Sequence, residues 1–128
     1  MRHDTLADVL SAIKNAERVG KKDCVTPASN LARELLRVMQ REGFIGIFEF
    51  IDDGRSGKFK VKLKNRVNDC NVIKPRYSVK VDEFEKWEKR FLPAKGFGIL
   101  ILSTNKGIMT HEEAKKQQAG GKLLAYVF

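Results

Sequence analysis

Hydrophobic and charged residues alternate without a break from Lys58 to Lys64. Phe59, Val61 and Leu63 fall on one side of an extended chain, and four lysines fall on the other. Because the side chains of a strand point to opposite faces in turn, this pattern predicts a half-buried strand with a lysine-covered outer face. The lysines fit two interpretations: they contact phosphate, or they protect an edge strand against aggregation.

Two segments carry apolar residues at the spacing of a helix. The first runs from Thr5 to Glu17, where Asp4 or Thr5 can cap it. The second begins at a cap provided by Ser29 or Asn30 and ends at Gly43. The apolar stripe of the first helix consists of Leu6, Val9, Leu10 and Ile13, and that of the second of Leu31, Leu35, Val38 and Met39.

Strand-like runs account for most of the remaining chain. We expect a short helix over Asp82–Phe91, whose aromatic residues fall at helical spacing and are better explained as core packing than as platforms for nucleobases. The predicted strands are Asp23–Thr26, Phe44–Ile51, Lys58–Lys64, a run within Val72–Val81, Ile99–Leu102 and Leu123–Val127.

This order of elements predicts an α+β protein built from two small lobes. Residues 1–66 form an N-terminal lobe in the order α-β-α-β-β. Residues 67–128 form a C-terminal lobe that is mostly β, with one or two short helices. The polar stretch 65–71 is the expected link between them.

The segment after Leu102 is small, polar and rich in hydroxyl groups. Residues 103–107 are predicted to form a loop ahead of a helix, whose capping box pairs Thr110 with Glu113. Short hydroxyls and exposed N–H groups suit phosphate and ribose oxygens, but Glu112 and Glu113 partly neutralise this helix end. The alternative is a polar connector with no ligand.

Composition sharpens the choice of partner. The chain has 128 residues with 25 Lys+Arg against 16 Asp+Glu, which gives a formal net charge of +9. A basic domain of this size favours nucleic acid as the partner, with an anionic membrane surface next. No apolar run approaches the ~20 residues that a membrane span needs. We therefore expect a soluble, intracellular protein without a membrane partner.

Patterns typical of enzymes and cofactor sites are weak. Gly121-Lys122 lacks the other residues of a phosphate-binding loop. His3 and His111 lack metal-ligand spacing to the cysteines, which we expect to be free thiols. A Ser103–His111 nucleophile pair has no evident orienting acid. We expect no catalysis, metal, cofactor or small-molecule substrate.

The last fifth of the chain also carries a family resemblance. The run Ser103-Thr104-Asn105-Lys106-Gly107-Ile108-Met109-Thr110, followed by Glu113-Ala114 and Gly120-Gly121, resembles the small-subunit ribosomal protein number eight family. Further similarity lies in Leu6–Ala16, in Pro27–Leu31 and in Gly43–Ile45. Residues 73–76 and 84–93 resemble the archaeal/eukaryotic branch of the family.

The resemblance implies a structural protein of the cytoplasmic ribosome. It would be a primary binder of the central domain of small-subunit ribosomal RNA, with neighbouring small-subunit ribosomal proteins as further partners. Two departures from the family are Lys122, where bacterial members often have glutamate, and Asn30, where lysine is common. The RNA-binding residues expected from the resemblance and the basic faces are Ser103, Thr104, Asn105, Lys106, Gly107, Thr110, Gly120, Gly121, Lys122, Ser29, Asn30, Lys58 and Lys60.

Two other classes of function compete with this interpretation. A basic protein-interaction module, whose lysines serve only solubility, predicts no selective retention of RNA. A small hydrolase predicts that turnover depends on His111, and the weak constellation around it argues against this class.

Overall fold

A computed structural model describes residues 5–55, 57–94 and 96–128. It confirms the predicted α+β class, with helices prominent in the N-terminal part and sheet in the C-terminal part. The helices are α1 (Thr5–Arg18), α2 (Asn30–Arg41), α3 (Phe84–Phe91) and α4 (His111–Lys116). The strands are β1 (Asp23–Pro27), β2 (Ile45–Ile51), β3 (Lys58–Leu63), β4 (Cys70–Val72), β5 (Ser78–Val79), β6 (Ile99–Thr104), β7 (Gly107–Thr110) and β8 (Gly121–Val127).

The backbone contacts divide the chain into two compact units, one ending at Asp69 and the other beginning at Cys70. In the first unit, α1 and α2 accompany a three-stranded sheet of order β1-β3-β2. The predicted apolar stripe of α1 is buried throughout. Burial of such a stripe removes apolar surface from water and holds a short helix in place. Asp4, one of the two predicted caps, lies outside the described residues.

The ends of α2 follow from local chemistry. The Ser29 hydroxyl oxygen accepts a hydrogen bond from the Ala32 N–H at 3.0 Å, which satisfies one of the free donors of the first turn. Gly43 follows the helix with φ +84°, a left-handed conformation that glycine adopts without strain. Both features were predicted from the sequence.

The lysine-rich strand β3 is not at an edge, so the edge-protection interpretation is wrong. Both neighbours pair with it antiparallel: Val25 of β1 lies opposite Lys60 on one side, and Glu49 of β2 on the other. Phe59 and Val61 of β3 are buried in the core. A central strand needs no charges against edge-to-edge association, so the lysines require another explanation.

The second unit is built on a sheet of order β4-β8-β6-β7, with β5 pairing with β8 beside this path. Its core joins the sheet to α3 and α4 through buried Phe84, Trp87, Leu102 and Ala114. Arg90 lies over the Trp87 ring, with the guanidinium carbon 5.3 Å from the ring centroid. The burial of Phe84 and Trp87 agrees with the predicted packing role of the α3 aromatics.

The segment predicted as a loop at 103–107 is part of a β-hairpin. Ser103 and Thr104 end β6, and Gly107 begins β7, so only two residues form the turn. Gly107 has φ +117°, which a residue with a side chain rarely adopts. The strand–loop–helix interpretation is therefore wrong, because β7 intervenes before α4.

Candidate nucleic-acid interface

The candidate site lies where the beginning of β8 pairs with β5 on one side and with β6 on the other. Lys122 is opposite Ser78 on one side and Ser103 on the other. In the neighbouring row, Gly121 is opposite both Val79 and Thr104. Antiparallel pairing thus joins the hydroxyl-rich end of β6 to the glycine pair and to β5, which are distant in sequence.

The two glycines permit an unusually close approach of backbones. A Cβ atom at Gly121 would collide with the carbonyl oxygen of Ser103. A Cβ atom at Gly120 would lie 2.6 Å from the carbonyl oxygen of Val79 and 3.3 Å from the Cα of Lys80. Because Gly120 and Gly121 lack side chains, β8 can lie very close to the backbones of Val79 and Ser103. The bottom of the site is therefore formed by backbone atoms.

Thr104 organises the turn between β6 and β7. Its hydroxyl donates to the Gly107 carbonyl oxygen at 2.9 Å and accepts from the Lys106 N–H at 3.1 Å. These bonds hold the exposed Asn105 and Lys106 in one arrangement. Thr104 is thus engaged within the turn, whereas the Ser103 hydroxyl has no partner among the described residues.

These elements border a groove of about 460 Å³, which we call the C-terminal groove. Six of its lining residues were predicted from the sequence: Ser103, Thr104, Asn105, Gly120, Gly121 and Lys122. Four were missed: Ser78, Val79, Lys80 and Glu83. The strand-like run of β5 was visible in the sequence, but its pairing with β8 joins segments about forty residues apart and leaves no local signal.

The groove combines cations with unoccupied polar groups. The exposed side chains of Lys80 and Lys122 make no ion pair within the described part of the chain. Lys106 lies nearby, in the turn that begins after Thr104. Glu83 contributes a carboxylate, whose Oε1 accepts from the Lys80 N–H at 2.9 Å. Such an arrangement can bind an oxyanion through the lysines and exchange hydrogen bonds through Ser103.

Thr110 supports the site from below rather than lining it. It is 1% exposed. Its hydroxyl oxygen accepts from the Glu113 N–H at 3.2 Å, and its O–H donates to Glu113 Oε1 at 3.4 Å. The predicted cap of α4 is confirmed in this respect. Burial leaves Thr110 a structural role in fixing β7 and α4.

A buried polar cluster follows directly at His111. Its Nδ1 accepts from the Leu100 N–H at 3.1 Å, and its Nε2 lies 2.7 Å from Glu88 Oε1. The same Glu88 oxygen accepts from Lys115 Nζ at 2.9 Å. Burial lowers the pKa of His111, opposed by the negative charge of Glu88. The cluster fastens α3 and α4 to β6, a role that the sequence did not indicate.

The remaining predicted residues belong to the N-terminal unit. Lys58, Lys60 and Lys62 lie on the outer side of its sheet, and we call them the lysine face. Lys62 is 4.0 Å from Asp23, whereas Lys58 and Lys60 form no ion pair within the described chain. Exposed aliphatic side chains share this side of the sheet: Val25 is opposite Lys60, and Ile51 is opposite Lys58.

Ser29 and Asn30 lie at the start of α2, near the end of the lysine face. Pro27, two residues before Ser29, pairs with Lys58. The Ser29 oxygen is occupied as the helix cap, but its O–H remains a donor. Asn30 is exposed in the first turn. The start of α2 therefore follows closely on the end of β1 that pairs with Lys58.

Other chemistries have little support. Across residues 5–55, 57–94 and 96–128, no three His, Cys, Asp or Glu side chains gather as a metal site would require; His3 lies outside these ranges. Cys24 and Cys70 are free thiols. Burial and the nearby Asp23 raise the pKa of Cys24 to about 11, which makes this thiol a poor nucleophile. None of the described helices has the length and apolar character to cross a bilayer.

The α+β fold and the basic, hydroxyl-lined groove suit the class of small RNA-binding proteins. The family model for ribosomal protein S8 matches residues 4–128. The chain therefore belongs to the ribosomal protein S8 family. This is a family of small-subunit ribosomal proteins, a structural and non-enzymatic class that binds ribosomal RNA and other ribosomal proteins and serves translation.

Proposed function

We propose that this protein is a primary binder of the central domain of small-subunit ribosomal RNA, and that it aids subunit assembly in the cytoplasmic ribosome. The observation that carries the proposal is the C-terminal groove. There Gly120 and Gly121 leave a backbone floor without side chains beside the hydroxyl of Ser103, which has no partner in the described part of the chain. Family membership supports the RNA-binding class, and the resemblance of residues 103–110 supports the central domain as the target.

The groove suits the minor groove of an irregular RNA stem. That surface displays 2′-hydroxyls and base edges, which short polar groups can reach and which long side chains would obstruct. Ser103 and Asn105 supply hydrogen-bonding groups, while Lys106 and Lys122 supply positive charge for the flanking phosphates. Thr104 and Gly107 would act mainly by holding the turn, and Thr110 by holding the strand beneath it.

The N-terminal unit would add contacts of a different kind. Lys58 and Lys60 are unpaired within the described chain and occupy the centre of an outer sheet face, where they can attract phosphate. Ser29 and Asn30 would add hydrogen bonds at the end of that face. Contacts of this type position RNA without distinguishing its sequence.

Two further features of the proposal come from the sequence. We propose that residues 1–66 and 67–128 are the two domains, with the principal RNA contact in the second. The similarity at residues 73–76 and 84–93 supports placement in the archaeal/eukaryotic branch of the family.

A protein-interaction module is the competing function, and one observation favours it. Ile47 is 69% exposed and Val25 is 50% exposed, on a sheet whose outer side also carries the lysine face. Apolar groups beside charges are typical of protein-binding surfaces. Under this alternative the lysine face would meet another ribosomal protein.

The test is a filter-binding measurement at physiological salt with the wild-type chain. It compares a central-domain RNA fragment with fragments of the other small-subunit domains. Specific nucleic-acid complexes are commonly a thousandfold or more tighter than nonspecific ones, so we expect a preference of roughly that size for the central-domain fragment. Equal, weak retention of all fragments would contradict the proposal and favour the protein-interaction module.

A further inference from the structure

Glu83 is the single carboxylate among the described residues that line the C-terminal groove. The rest of the lining consists of hydroxyls, an amide, backbone and two lysines. RNA is a polyanion, so a carboxylate in a surface that binds it repels phosphate and weakens nonspecific attraction. A hydrogen bond from a donor group on the RNA would offset this repulsion.

The structure holds Glu83 in a defined position. Its Oε1 accepts from the Lys80 N–H at 2.9 Å, and its own N–H donates to the Lys80 carbonyl oxygen at 3.0 Å. These reciprocal bonds turn the side chain back towards the end of β5, beside Ser78 and Val79. Glu83 is half-buried, and it forms no ion pair within the described part of the chain.

One backbone N–H does not exhaust an ionised carboxylate. The group offers about four acceptor sites on two oxygens, and it can donate no hydrogen bond while ionised. Glu83 lines the groove together with Lys80 and Lys122, and neither lysine forms an ion pair with it among the described residues. Glu83 can therefore still accept a hydrogen bond from a donor on a ligand in the groove.

We propose that Glu83 is a specificity-determining residue that accepts a hydrogen bond from a donor in the RNA minor groove. This inference rests on the proposed RNA contact of the C-terminal groove. The minor groove of an RNA stem presents two such donors, the 2-amino group of guanine and the ribose 2′-hydroxyl. An RNA that places a phosphate there would be rejected by charge, which gives discrimination against wrong partners.

The decisive variant is Glu83→Gln. The amide oxygen of glutamine can still accept from the Lys80 N–H, so the turn is preserved while the charge is lost. We expect affinity for the central-domain stem to fall about tenfold, because a charge-assisted bond is replaced by a weaker one. Affinity for a regular duplex should stay the same or rise, so the ratio of the two affinities falls.

Glu85→Gln is the matched control. Glu85 lies two residues away, is exposed, and has its carboxylate 3.8 Å from Lys89 rather than at the groove. The same loss of charge there should leave the affinity ratio unchanged. If Glu83→Gln strengthens binding to both RNAs equally, or behaves like Glu85→Gln, the proposal is wrong.

Altered RNA tests the same claim by changing the ligand instead of the turn around Glu83. Inosine in place of single guanines removes the 2-amino group, and single 2′-deoxy substitutions remove the hydroxyl. One such position should cost the wild-type protein about tenfold in affinity and cost Glu83→Gln much less. If every altered position lowers the affinity of both proteins equally, Glu83 accepts no hydrogen bond from the RNA and the proposal is wrong. Failure of the wild-type chain to select the central-domain fragment is a different result, which would refute the proposed function itself.

Discussion

The C-terminal groove and the lysine face offer RNA two different kinds of surface. The groove is made of close backbones, with Gly121 against the Ser103 carbonyl and a carboxylate, Glu83, fixed at its edge. The lysine face is a sheet surface with long cationic side chains and exposed aliphatic neighbours such as Val25. The groove would recognise RNA by close fit, and the lysine face would attract it by charge.

This difference predicts a division of labour. Hydrogen bonds and close fit depend on the positions of individual RNA atoms, whereas attraction between lysine and phosphate is almost independent of sequence and weakens with salt. We therefore expect the groove to determine which RNA is bound and the lysine face to determine how strongly any RNA is held. Single substitutions in each surface can separate these two contributions.

The largest effect is expected from Gly121→Ala. The added Cβ would meet the Ser103 carbonyl oxygen, which belongs to the backbone and can move only if β6 and β8 separate. Overpacking of this kind commonly costs about 1–3 kcal/mol in the free energy of unfolding. Affinity for the central-domain RNA should fall at least tenfold as the groove opens. Urea unfolding measures the loss of stability, and filter binding measures the loss of affinity.

Gly46→Ala provides the control for this substitution. Gly46 lies in the N-terminal sheet, and its new Cβ would meet the Lys62 Cβ at 3.2 Å, a contact that a small shift relieves. Its effect on RNA affinity should be slight. If Gly121→Ala binds RNA as tightly as the wild type, the C-terminal groove is not part of the RNA-binding site.

A smaller and different effect is expected from the lysine face. Lys58→Gln and Lys60→Gln should each lower the slope of log affinity against log salt by ~0.9 on the calibration for duplex DNA, because one phosphate contact is lost. The loss should be similar for cognate and noncognate RNA. Lys62→Gln should change the slope less, since Asp23 already lies 4.0 Å from this lysine.

Salt titrations of the three variants give the measurement. If all three slopes equal that of the wild type, the lysine face is solvated or binds protein. The claim that this face holds RNA by charge would then be wrong.

The smallest effect concerns pH and the buried cluster at His111. Burial lowers the pKa of this histidine below its usual value near 6.5, although Glu88 acts in the opposite direction. Among the other charged groups around it, Lys115 lowers the pKa and Glu112 raises it. The unfolded chain therefore takes up the proton first, and stability that is present above about pH 6.5 is lost as the pH falls.

Urea unfolding at several pH values tests this expectation. A single group contributes at most ~1.4 kcal/mol per pH unit, and His111→Gln should flatten the dependence below about pH 6.5. A variant with the same pH slope as the wild type would show that His111 titrates as it does in the unfolded chain.

Local patterns predicted much of the fold. The apolar stripe of α1, the Ser29 cap of α2 and the Thr110 cap of α4 depend on neighbours within four residues, and all three are confirmed. The alternating strand β3 was also predicted. Its central position was not, because the order of strands depends on pairings between distant segments.

The candidate site was predicted unevenly for the same reason. The hydroxyl-rich end of β6 and the glycine pair stand out in the sequence, and the structure places them in adjacent strands. Lys80 and Glu83 reach the groove only through the pairing of β5 with β8, which no local pattern records. The turn of two residues was missed because Thr104 defines it by side-chain hydrogen bonds.

The most direct test of the division of labour is the ratio of affinities for the central-domain stem and for a regular RNA duplex, measured in Ser103→Ala and Lys60→Gln. The Ser103 hydroxyl should be worth ~1–3 kcal/mol to the cognate complex alone, so its removal should lower the ratio by about fivefold to 150-fold. Lys60→Gln should weaken both complexes alike, and Ser11→Ala, on the exposed side of α1, should change neither. An unchanged ratio in Ser103→Ala, or an equal fall in Lys60→Gln, would contradict the account.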